Sequence, residues 1–231
     1  MSTESADFGS QVERFLINLH LEHPLPQGVD VLQPYANPEV RKVVHEMCRQ
    51  YYSGAHPRIP LWGINPGRFG AGLTGLAFTD PTAVKQTLRI QTALDGRREL
   101  SAEFMASVIE AYGGPKPFYR DVYMTALSPL GFVSGNKNLN FYDSRELQES
   151  LTGQIQSWVR KQCAFELRKG VTIVVGTGKL KDFFERHIRT QCGFDTVVYL
   201  EHPRYIMQYK RSEIDTYRQK YINAIQYCTN V

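Results

Sequence analysis

Val171-Thr172-Ile173-Val174-Val175-Gly176-Thr177-Gly178-Lys179 decides the architecture, because an apolar run passes directly into a glycine turn and then a helical pattern. A short apolar run bounded by turn residues reads as a buried strand, and a strand feeding a helix is half of a parallel crossover unit. The same order recurs on both sides. Residues 59–64 are apolar apart from Pro60 and end in Asn65-Pro66-Gly67-Arg68-Phe69-Gly70, residues 121–127 form a second such run, and residues 196–200 a last one.

Helical patterns fill the intervals. Val12, Phe15, Leu16 and Leu19 fall on one face of residues 11–21. Asn37-Pro38 supplies an N-cap and first helical residue for a helix to about Tyr52. Asp80-Pro81 opens another, Ser101 opens one that ends near Gly113-Gly114, residues 144–169 are amphipathic, and a further helix follows Lys179 to about Arg189. Ser212 and Asp215 have the spacing of a capping box at the start of the last helix. Residues 23–34 and the polar stretch after Leu127 read as loops.

Strands alternating with helices predict an α/β fold, a three-layer α/β/α sandwich around a central, mainly parallel sheet of about four strands. The 231 residues fit one domain, with residues 1–10 as a short leader. Ligands of such sheets bind beyond the carboxyl ends of the strands, so the segments starting at Asn65 and His202 are expected to face one crevice.

Composition narrows the function. No apolar run approaches the roughly 18 residues of a membrane span, so no membrane partner is expected. Cys48, Cys163, Cys192 and Cys228 are far apart and form no C-x-x-C pair, which argues for structural thiols in a reducing compartment and against zinc or iron–sulfur sites. The formal charge of +4 is modest but uneven: Arg204, Lys210 and Arg211 lie with Tyr205 and Tyr209 in eight residues. That mixture suits phosphate contact with base stacking, and equally a solvated loop before a helix.

The run Gly63-Ile64-Asn65-Pro66-Gly67-Arg68-Phe69-Gly70, continued by Thr74-Gly75-Leu76-Ala77-Phe78, resembles the first motif of the single-strand-selective monofunctional uracil-DNA glycosylases, a branch of the uracil-DNA glycosylase superfamily. Tyr199-Leu200-Glu201-His202-Pro203-Arg204 is similar to the second motif, a strand followed by His-Pro and a DNA-penetrating loop. Position after the last strand selects His202 over His23-Pro24 and His56-Pro57. Val174-Val175-Gly176-Thr177-Gly178 also looks like the family's corresponding segment, and the resemblance spans most of residues 59–220, with similarity to a bacterial sub-branch.

The resemblance implies monofunctional hydrolysis of the bond between base and sugar, in base excision repair. Cleavage leaves positive charge on the sugar and negative charge on the base, so stabilising the anion and placing a water accelerate it. Asn65 would orient the water and His202, neutral or positive, would donate to the base O2. Ile64, Gly67, Phe69, Phe78 and Ala126 would form the base pocket, with Phe78 stacked on the flipped base and amides of residues 67–70 on its polar edge or a phosphate. Without the resemblance, Phe78 reads as core and residues 65–70 as a tight turn.

Arg68, the turn Gly176-Thr177-Gly178-Lys179, and Pro203, Arg204, Tyr205, Ile206, Met207, Gln208, Tyr209, Lys210 and Arg211 would contact DNA, the last group as a wedge. The spacing at Lys179 does not make a nucleotide-triphosphate loop. The implied partner is single- and double-stranded DNA containing deaminated bases. The implied enzyme is a monomer without metal or organic cofactor, without a lysine nucleophile and so without strand cleavage. It would reside in the cytoplasm with the nucleoid if bacterial and in the nucleus if eukaryotic.

Two departures matter. The wedge lacks the usual H-P-S-P-R-N-P pattern. Aligning on Ser128-Pro129-Leu130 puts Ala126 where the family carries an asparagine that reads uracil, so the pocket is expected to be less exclusive and to admit xanthine or hypoxanthine, with Thr125, Ser128 or main-chain groups as substitutes. Competing readings are a non-catalytic nucleic-acid-binding module on the same scaffold and a nucleoside or nucleotide hydrolase. A Ser-His-Asp hydrolase lacks its G-x-S-x-G elbow.

Overall fold

Residues 7–54 and 56–231 are described by a computed structural model of the chain. Its strands are β1 (Asp30–Leu32), β2 (Ile59–Gly63), β3 (Val122–Ala126), β4 (Gly131–Ser134), β5 (Lys137–Leu139), β6 (Val171–Val175) and β7 (Thr196–Leu200). Its helices are α1 (Phe8–Ile17), α2 (Pro38–Tyr51), α3 (Ala71–Thr74), α4 (Pro81–Gln86), α5 (Leu100–Ala111), α6 (Pro115–Asp121), α7 (Arg145–Cys163), α8 (Lys179–His187), α9 (Pro203–Tyr209) and α10 (Ile214–Asn230).

The four apolar runs form one parallel sheet in the order β3-β2-β6-β7, flanked by helices. Every residue of β2, β3 and β6 is buried. Each apolar side chain so buried stabilises the fold by about 1.5–3 kcal/mol relative to exposure. Pro60 is tolerated in a central strand because the ladder between β2 and β6 begins one residue later, at Leu61 and Trp62. The Thr172 hydroxyl reaches across instead, donating to Pro60 O and accepting from Trp62 Nε1, both at 2.9 Å.

From β2 the chain steps outward to β3 on one side and later to β6 and β7 on the other, so the strand order reverses at β2 and β6. A crevice opens at such a reversal beyond the carboxyl ends of the strands. Gly63 pairs with Ala126 at one side of that edge, and Val175 pairs with Leu200 at the other.

Several sequence expectations are corrected. The leader was expected to run to Ser10. Residues 1–6 lie outside the described residues, but helix α1 begins at Phe8, whose ring is buried under the guanidinium of Arg58 at 4.4 Å. Arg58 is itself fully buried and donates to the carbonyls of Tyr119, His56 and Ser53, so its charge is hydrogen-bonded in place. Asn37 and Asp80 cap their helices as expected, accepting from Glu39 N and Ala83 N. Helix α5 is capped by Glu99, not Ser101.

Helix α7 stops at Cys163, short of Lys169. The Ser212–Asp215 capping box does not form: Glu213 occupies the N-cap of α10, and no side chain bonds there. The regions read as loops contribute a second sheet, antiparallel, in the order β1-β4-β5. Its hairpin lies beside the carboxyl edge of the parallel sheet, and Gly131 at its start is needed because a Cβ there would sit 2.3 Å from Pro66 O.

Candidate active site

A cavity of about 760 Å³ lies at the carboxyl edge of the sheet, and its wall includes Gly63, Asn65, Phe78, Ala126, Asn138 and His202. Its floor starts at Gly63. A Cβ there would meet Phe78 Cζ at 2.6 Å and Cε2 at 2.7 Å, so the absent side chain is what lets the aromatic ring lie on the strand end. Phe78 holds a φ of 51°, in the left-handed region that non-glycine residues rarely adopt. Such strain costs about 1–3 kcal/mol and persists where surrounding structure enforces a particular side-chain placement. The Phe78 ring stands 5.8 Å from the His202 imidazole, tilted by 49°.

Asn65 lies two residues beyond β2 and is held by backbone groups of Pro66, Leu139 and Phe141. Its Nδ2 donates to Leu139 O at 3.0 Å and to Pro66 O at 3.3 Å, and its Oδ1 accepts from Phe141 N at 3.0 Å. These partners fix which end of the amide is oxygen. A carbonyl oxygen has two lone pairs, so one acceptor site remains on Oδ1 after Phe141 is satisfied.

His202 follows β7 and serves as N-cap of α9, its Nδ1 accepting from Arg204 N at 3.2 Å. A ring nitrogen that accepts carries no proton, so in the neutral ring the hydrogen is on Nε2. Desolvation, reinforced by the Arg204 guanidinium, pushes the imidazole pKa down to about 4. At neutral pH the ring is therefore an uncharged donor, which removes the positive form from the two states the sequence left open.

The turn after Asn65 is partly spent on itself. Gly67 O accepts from Gly70 N and Gly72 N, and Arg68 N donates to Asn138 Oδ1 at 3.2 Å. Of the four amides expected to face a ligand, those of Gly67 and Phe69 have no hydrogen bond among the described residues. Two guanidinium groups lie over Phe69: that of Arg97 is 3.5 Å from the ring centroid and that of Arg68 4.9 Å. Phe69 and Phe78 both line the cavity. Ile64 and Ala126 also line the cavity.

The expected wedge is a helix rather than a loop. In α9, Pro203, Ile206 and Met207 are buried, so the latter two side chains point into the core and not outward. The outer face carries Arg204, Tyr205, Gln208 and Tyr209. Tyr209 is 71% exposed and Tyr205 44%, with ring centroids 5.5 Å apart one helical turn from each other. Lys210 and Arg211 are paired with Glu213 and Glu103.

The turn Gly176-Thr177-Gly178-Lys179 is outside the cavity wall. Gly176 N already donates to Leu200 O at 2.8 Å, while Thr177, Gly178 and Lys179 are exposed at the start of α8. Sequence reading missed Arg97, Arg98, Asn136, Lys137 and Asn138, all of which line the cavity. The polar run from Ser134 to Asn140 gave no strand periodicity, and the arginines sit in an irregular segment. Among the described residues no group of three or more His, Cys, Asp or Glu side chains is arranged to hold a metal ion, and no helix is long and apolar enough to cross a membrane.

The family model described as Uracil DNA glycosylase superfamily matches residues 50–226. A solved crystal structure, that of wild-type Pedobacter heparinus SMUG2, is similar to this chain at 34% sequence identity and a TM-score of 0.93, covering 98% of this chain and 100% of that one.

Proposed function

The chain belongs to the uracil DNA glycosylase superfamily, and on that premise we propose that it is a monofunctional glycosylase that hydrolyses the N-glycosidic bond of uracil and other deaminated bases in DNA. The observation that carries this reading is the convergence of Asn65, Phe78 and a neutral His202 on one cavity at the carboxyl edge of the sheet. The proposed product is an abasic site in an intact strand, as the first step of base excision repair.

In this reading the base leaves the stack and lies on Phe78, whose ring is held by Gly63 beneath it. As the glycosidic bond breaks, negative charge gathers on the base and is met by His202 Nε2–H. A neutral imidazole is suited to this task because it donates without having to lose a proton. The second lone pair of Asn65 Oδ1 orients water toward C1′ of the sugar, and its other contacts, to Leu139, Pro66 and Phe141, keep the amide from turning. Asn65 removes no proton. Water attacks a nearly formed oxocarbenium ion, so placement suffices; the proton it sheds after attack ends on the departing base anion, which leaves the free base and an abasic sugar.

Tyr205 and Tyr209 are the side chains proposed to fill the space left in the DNA, with Arg204 on the backbone. Ala126, adjoining Gly63 across the sheet, removes both a polar reader and side-chain volume, which supports a pocket open to hypoxanthine and xanthine. Single-turnover release of free base from single- and double-stranded oligonucleotides, each bearing one deaminated base, tests the reading. Uracil release with an unbroken strand is expected. Cleavage of free deoxyuridine at comparable efficiency would assign the site to a nucleoside hydrolase instead, and strict uracil-only activity would remove the broader base range.

A further inference from the structure

We infer that Asn138 reads the polar edge of the flipped base, with its amide NH₂ acting as a fixed hydrogen-bond donor. This rests on the glycosylase reading above and specifies how the same cavity recognises its substrates. The side chains on β3 and just after it are unavailable for the task. Ala126 has no polar atom, Thr125 donates its hydroxyl to Gln162 Oε1 at 2.6 Å, and Ser128 donates to Leu130 O at 2.7 Å.

Asn138 is available and already oriented. Its Oδ1 accepts the backbone N–H of Arg68 at 3.2 Å, which only the oxygen end of the amide can do. The NH₂ is thereby turned away and has no hydrogen-bond partner among the described residues. It lies over Gly67, with Nδ2 3.3 Å from the point a Gly67 Cβ would occupy, on the wall of the cavity that holds Phe78 and His202. The segment that carries Asn138 runs on from β5 through Leu139 to Phe141, the residues whose backbone clamps Asn65. One segment thus positions both the proposed reader and the water-orienting amide.

The chemistry matches uracil and hypoxanthine. Deamination replaces an exocyclic amino group, a donor, with a carbonyl oxygen, an acceptor. A fixed NH₂ is complementary to O4 of uracil and to O6 of hypoxanthine, the oxygens that deamination creates, and it opposes the amino groups of cytosine and adenine at the same edge; O6 of xanthine accepts from it equally but is already present in guanine. Guanine and thymine carry the same oxygen, so this donor alone does not exclude them.

The test compares wild type with Asn138→Ala in single-turnover release of two bases from single-stranded DNA: uracil, and 2-pyrimidinone, which lacks O4 and the N3 proton. Loss of one hydrogen bond to the reacting base is expected to slow uracil release about ten- to hundredfold. On the base without O4 the variant and wild type should differ by less than about threefold. Damage to the fold or to the Arg68 turn would slow both bases equally, so an equal penalty overturns the assignment, as does no penalty on uracil. A wild type that releases neither base overturns the glycosylase reading itself, a result distinct from failure of the Asn138 assignment.

Discussion

Lowering the pH probes His202 without replacing it. Desolvation and the nearby Arg204 guanidinium both disfavour the imidazolium, which brings the group from its ordinary 6.5 down to about 4. The Arg204 backbone N–H adds a geometric constraint, since it points at Nδ1 and is accepted only while that nitrogen is unprotonated. Between these two pH values the unfolded chain binds a proton at this residue and the folded chain does not. The associated stability is therefore complete above 6.5 and is lost as the pH falls toward 4. At about 1.36 kcal/mol per pH unit the loss at this residue is at most about 3 kcal/mol, reduced by solvent at the half-buried ring.

The catalytic profile follows the same sign. On the proposed mechanism the neutral ring is the working donor, so base release should hold one rate from about pH 8 to about pH 5 and fall only near pH 4. An Arg204→Gln variant removes a cation and should move that inflection upward. Following the His202 Cε1 proton by NMR while measuring single-turnover base release at each pH checks both statements. An inflection near 6.5 in the ring and in the rate would refute the argument, as would a rate that rises on protonation.

Two further perturbations address the cavity wall. In Gly63→Ala the new methyl would stand 2.6 Å from Phe78 Cζ, so the ring must leave the strand end; a loss of about 1–3 kcal/mol in urea unfolding and slower uracil release are expected. Arg97→Ala uncovers one face of Phe69 and removes a cation from the cavity rim, and the slope of log binding constant against log salt for single-stranded DNA should fall by about one.

The parallel sheet was legible because β2, β3 and β6 are fully buried and read as nearly continuous apolar runs, two of them ending in glycine turns, while the partly buried β7 is still an apolar run before a His-Pro pair. The places of Asn65 and His202 at the sheet's carboxyl edge were legible because each lies two residues beyond such a strand. Helix α9 was misread as a loop although its signal was present: His202-Pro203 is a cap and first-turn proline of the kind read correctly at Asn37-Pro38 and Asp80-Pro81. Burial of Ile206 and Met207 then follows from helical packing that an extended wedge would not have.

The β4–β5 hairpin carried no comparable signal. Its polar residues are ordered by contacts with a turn some 70 positions earlier, Asn138 with Arg68 and Leu139 with Asn65. Such pairings have no local periodicity. The Arg97–Phe69 stack is hidden likewise, since an irregular segment places the guanidinium.

On the proposed mechanism Asn65 orients water in hydrolysis of a base–sugar bond. The most direct test of that role is single-turnover release of uracil from single-stranded DNA by wild type and Asn65→Ala side by side, with DNA binding measured for both. Release by the wild type and a fall of at least about a hundredfold in the variant are expected, with binding largely retained. Equal rates in the two proteins, or no release by the wild type, would contradict it.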